Sequence, residues 1–246
     1  MDFSLWRQHL IDGLGHDAAI PWHEPIRLDV SKREAIGRLA LKSASLMSIA
    51  AAWEERLAQT ATEPDEVAAL LLLGEAYRGH AMSLRRLARQ LLGERVVWFL
   101  PDQLPILPLV GRLDLLLALH AAGVISRVWI QAVLDVIQDD PVSSSVFASM
   151  LYERSFIVRY AKSQLVRAGD EHALQRRRLR LVNGALVPAM VAGSWLLMGQ
   201  DFRAITGWDW QMCIGRCHQV YEQAYTGELS FLQQRGTLTA LAWVPL

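Results

Sequence analysis

"TEPDEVAALLLLGEAYRGHAMSLRRLARQLLG", residues 62–93, reads as one long amphipathic helix. Apolar residues recur at threes and fours along it. Pro64 suits the first helical position, Thr62 is the expected cap, and Asp65 and Glu66 put acids in the first turn. Gly93 follows the last periodic residue, where a helix is readily stopped. Within this segment "GEAYRGHAMSLRRLARQL" (residues 74–91) sets Tyr77 and His80 three residues apart, on one helical face. Glu75 is five residues from His80, about 140° around the helix, and faces elsewhere.

The same periodicity extends to both sides. "SKREAIGRLALKSASLMSIAAAWEERLAQ" (31–59) opens with Ser31 as expected cap and Glu34 three residues on, a capping box. "VVWFLPDQLPILPLVG" (96–111) is broken by prolines and reads as a crossover. "GRLDLLLALHAAGVISRVWIQAVLDVIQDD" (111–140) is a helix that stops at Pro141, and residues 141–169 form the next. Asp170 is expected to cap a further helix, and "WDWQMCIGRCHQVYEQAYTGELSFLQQR" (208–235) is the last. "TLTALAWVPL" (237–246) has no strand partner and is expected to lie along the bundle as an apolar strap. Long helices joined by short loops imply antiparallel neighbours. The expectation is one helical domain over 1–246, with a lead-in over 1–30. A four-helix heart follows over 31–169, then C-terminal helices over 170–235 and an apolar tail over 236–246.

Composition narrows the function classes. The chain has 246 residues, is 52% hydrophobic and 20% charged, and its formal net charge is +0. Neutrality gives no reason to expect nucleic acid as a partner, and "RRRLR" (Arg176–Arg180) reads as a solvated face. The two cysteines, Cys213 and Cys217, suit a reducing cytoplasm. The N-terminal residues lack the basic and apolar regions of a signal peptide. Leu181–Gly199 carries no charge and follows arginines, as a membrane span would, but Pro188 and Asn183 favour a buried helix bent near Pro188. A membrane is therefore not among the expected partners.

Three further stretches bear on the fold: "GEAYRGHAMSLRRL", "ASMLYERSFIVRY" and "LVPAMVAGSWLLMGQDFRAITGW". With the order of long helices, they make residues 31–207 resemble the p-aminobenzoate N-oxygenase family of ferritin-like di-iron proteins. The resemblance implies an all-α, ferritin-like antiparallel helical bundle with additional C-terminal helices. It also implies metal-ligand positions at His80 and Glu153. Tyr77 stands where that family has a ligand glutamate, and Phe156 where it has a second imidazole. Tyr77, His80 and Glu153 are thus read as vestigial metal-site positions, with no metal and no cofactor expected.

Counting depth from each turn gives the same answer. His80 lies about 16 residues past Pro64, roughly 24 Å along its helix, whereas Glu54 and Glu55 lie only roughly 8 Å from that turn. At the depth of Glu153 the facing helix offers Arg127. An ion pair between Arg127 and Glu153 is therefore expected in the core, with Tyr77 or His80 beside it. Cys213 and Cys217 share a helical face with His218 and Glu222 next to it, but one helix cannot close a zinc site. No catalytic residue is assigned. The expected function is non-catalytic: a cytoplasmic, ferritin-like protein binding a partner oxygenase, a second copy of itself, or a small apolar ligand in a biosynthetic pathway. Its rivals are a working non-haem iron oxygenase acting on an amine or amino-acid-derived substrate, and a membrane-docked structural protein.

Overall fold

The computed structural model describes residues 4, 7–8, 10–11, 19–93, 111–171 and 173–225. Among them are six α-helices and no strand: α1 (Val30–Ala58), α2 (Pro64–Leu92), α3 (Arg112–Ile137), α4 (Pro141–Glu171), α5 (Ala173–Thr206) and α6 (Trp210–Ala224). The protein is all-α. The crossover expected over 96–111 and the strap expected over 237–246 lie outside the described residues, apart from Gly111.

Local chemistry explains the helix ends. α1 is capped by Asp29, whose carboxylate accepts from the Lys32 amide at 2.8 Å. Ser31 is one residue inside and spends its hydroxyl on Asp29 Oδ1, so the cap expected at Ser31 is corrected to Asp29. The carboxylate wins because an ionised acceptor suits the positive end of the helix better than a hydroxyl does. α2 starts at Pro64 as expected, but its N-cap is Glu63 rather than Thr62, and the Glu63 side chain makes no capping bond. Gly93 ends α2 at φ 74°, a conformation that costs glycine nothing.

The chain forms two compact units, each built from separate stretches. The first comprises residues 1–108, 130–153 and 200–207; the second comprises 109–129, 154–199 and 208–246.

In the first unit α1 and α2 pack antiparallel. A Cβ added to Gly37 would come within 2.6 Å of Leu92 Cγ, and one added to Gly74 would meet the Ala51 carbonyl oxygen at 3.4 Å and Glu54 Cβ at 3.8 Å. Arg85 donates to Ser48 Oγ at 3.2 Å, and Arg78 pairs with Glu55. Every contact fits one register. α1 turns inward an unbroken row of buried residues at alternating fours and threes: Ala40, Ala44, Met47, Ala51, Glu54 and Ala58. The start of α4 is held by Asp140, which accepts from the Ser143 amide at 2.9 Å and the Arg27 amide at 2.6 Å. Asp140 is only 1% exposed. Its replacement by alanine is expected to cost about 2 kcal/mol, the upper end for a cap, because the buried Ser143 amide and the part-buried Arg27 amide lose one acceptor. Urea denaturation checks this; a cost under about 0.5 kcal/mol would show that the cap contributes little.

In the second unit the residues of α5 up to Gly199 do not behave as expected. The helix runs unbroken through Pro188. It packs by one side only: Asn183, Gly184, Val187, Val191 and Met198 are buried, while Leu181 and Leu196 are 60% and 73% exposed. Leu181–Gly199 was expected as a buried helix, and that expectation is corrected. α1, α3 and α5 are all long and apolar enough to cross a membrane; the most apolar window is 56% buried in α1 and 72% in α3, but 28% in α5.

Candidate functional site

The first unit brings two of the three marked residues into contact. α2 buries Tyr77 and His80 on one face, at 1% and 4% exposure, because their three-residue spacing falls on its apolar stripe. α4 brings Glu153, 3% exposed, to the same place. His80 Nε2–H donates to Glu153 Oε2 at 3.0 Å. Among the described residues no three of His, Cys, Asp and Glu converge to hold a metal ion. The described residues therefore do not present the ligand set of the di-iron group that the resemblance implies.

Arg127 is exposed, and the hydrogen-bond partner of Glu153 is His80. The two residues of the ion pair expected there belong to different units, Arg127 to the second and Glu153 to the first. Counting residues from a turn gives depth along a helix but not the direction in which a side chain leaves it. Phe156 belongs to the second unit.

Sequence reasoning missed Glu54. It is 0% exposed, although turn counting left it too shallow to matter. The contacts at Gly74 show that α1 and α2 are offset by more than the loop length suggests. The signal was present, because Glu54 lies on the buried row of α1 while Glu55 lies off it. Asp201 is another buried carboxylate of this unit. It accepts from Arg38 and from Lys42, both at 2.7 Å, and is thereby compensated.

The second unit holds a separate buried polar group. His120, on α3, lies 2.9 Å through Nδ1 from the Tyr225 hydroxyl, with the rings edge-on at 5.2 Å. Tyr221 packs on Tyr225 at 4.1 Å, and its hydroxyl donates to Asn183 Oδ1. Burial, and secondarily the Lys162 cation, hold the His120 pKa down at about 4. Burial likewise pushes both tyrosines above their ordinary range. The group is neutral near pH 7, which suits an apolar interior.

Cys213 and Cys217 are free, buried and on one face of α6. Their mutual hydrogen bond raises the Cys213 pKa and lowers that of Cys217. His218 and Glu222 pair at 3.5 Å on the more exposed side of α6. The cavity beside Cys217, Val187 and Tyr221 measures about 20 Å³, room for about one water and not for an organic ligand. Comparison with family models, with curated proteins and with solved structures finds no match for this chain.

Proposed function

We propose that the protein is a ferritin-like bundle that works by binding and not by oxygen chemistry, an accessory component that docks through its surface. The observation carrying this reading is the buried His80–Glu153 hydrogen bond, which joins two vestigial ligand positions to each other. Tyr77 beside them supports it, since a phenol stands where the resemblance puts a carboxylate. A cytoplasmic location belongs to the same reading, supported by the two free thiols.

Anaerobic reconstitution with ferrous iron, then exposure to air, tests it. We expect less than about one equivalent of iron per chain and no oxo-bridged absorption, because the described residues provide no depth-matched carboxylate set. Stoichiometric iron that is lost in His80→Gln would overturn the proposal. It would favour a working oxygenase acting on an amine or amino-acid-derived substrate.

A further inference from the structure

Cys213 and Cys217 lie one turn apart on the inner face of α6, at 0% and 2% exposure, and both are free thiols. The two are in mutual hydrogen bond, so a single proton lies between the sulfurs. Next to Cys217 is the cavity of about 20 Å³, walled by Ile125, Val187, Val191 and Ile214. It has room for a guest the size of one atom or one water. His218 lines the same cavity and is 31% exposed, so the cavity has a side that faces solvent. All of these residues belong to the second unit.

Geometry separates three uses of such a pair. A disulfide needs Cβ atoms about 3.8 Å apart, whereas one helical turn sets them about 5–6 Å apart, so oxidation would deform α6. Zinc needs four ligands, and among the described residues no third His, Cys, Asp or Glu joins the two sulfurs. A soft monovalent cation asks for less. Two thiolates satisfy it, and its own two bonds to sulfur fill the gap that a direct S–S bond is too short to close.

We propose that Cys213 and Cys217 form a two-coordinate site for Cu(I), with the ion in the place of the shared proton. Two thiols release two protons, two S–Cu bonds replace two S–H bonds, and copper stays cuprous, so no oxidant or reductant is consumed. The resulting centre carries one negative charge. The Trp129 indole N–H beside Cys217 is placed to stabilise it, as it already favours the thiolate after the larger effect of Cys213. The apolar wall keeps harder, oxygen-seeking cations out.

Anaerobic titration of the full chain with Cu(I) held by bicinchoninate tests the proposal. It reads the second unit, whereas iron loading reads the first, so either can fail alone. We expect the protein to take about one equivalent of Cu(I) from the chelator and to keep it against excess zinc. X-ray absorption of the loaded wild type should show two sulfur neighbours and no nitrogen shell. Cys213→Ser and Cys217→Ser should each weaken binding about a hundredfold or more, with thermal melts establishing that the variants fold. Three outcomes would overturn the proposal. One is copper that stays with the chelator. Another is a spectrum with nitrogen neighbours or a single sulfur, which needs no variant. The third is unchanged affinity in the folded serine variants, which would place the ion elsewhere in the chain.

Discussion

Replacing Glu153 by leucine is expected to lower the stability of the protein by about 3–5 kcal/mol. Glu153 and His80 are almost wholly inaccessible, so water cannot replace the partner that is removed. The imidazole Nε2–H would be left in the interior without its acceptor, and such a loss approaches the full desolvation cost of the group. Removing both residues, as His80→Leu with Glu153→Leu, should cost much less than the sum of the single changes. Neither member of the pair is then left facing an absent partner, and apolar side chains can fill the space. Glu153→Gln retains an oxygen acceptor and should fall between the wild type and the leucine variant. Urea denaturation of the four proteins in a double-mutant cycle measures the coupling directly. Strictly additive single effects would mean that the two side chains do not interact, and the reading of the core would lose its support.

The sequence exposed some parts of this structure and hid others, for physical reasons. Helices were legible because their apolar spacing is regular and because Pro64, Pro141 and Gly93 punctuate the chain where helices start and stop. Caps were less so. Asp29 and Ser31 are both good cap residues, and only the hydrogen bonds show that Asp29 takes the Lys32 amide. His80 and Glu153 were recognisable as positions, but their mutual bond was not, since axial counting is blind to azimuth. Glu54 is the reverse case. Its place on the row Ala44, Met47, Ala51, Glu54 and Ala58 marked it as inward-facing, and depth counting discarded it. The uncharged stretch of α5 was misread because lack of charge fixes only that a helix avoids water. Protein interior and lipid satisfy that requirement equally. The His120, Tyr221, Tyr225 and Asn183 group had no local signal, since its members come from three helices and the turn after the last.

Acidification from pH 7 to pH 4 is expected to remove about 3 kcal/mol of stability through His120 alone. Burial is the larger cause of its depressed pKa of about 4, and the Lys162 cation adds to it. In the unfolded chain the same imidazole takes its proton near pH 6.5. Between those two values the unfolded state binds more protons than the folded state, so stability rises with pH there. The contribution is therefore fully present above about pH 6.5, declines as the pH falls, and levels off below about pH 4, where both states are protonated. The Tyr225 hydroxyl stays protonated across this range, because burial moves its pKa upward, and adds no slope of its own. Other groups titrate in the same window, so the test is a difference. His120→Gln removes the proton site and keeps a polar group able to bond Tyr225. Its urea-denaturation stability should fall less than that of the wild type between pH 7 and pH 4, by about 3 kcal/mol. If the two proteins lose stability in parallel, His120 is not held neutral by its surroundings. The buried polar group of the second unit would then have to be open to water.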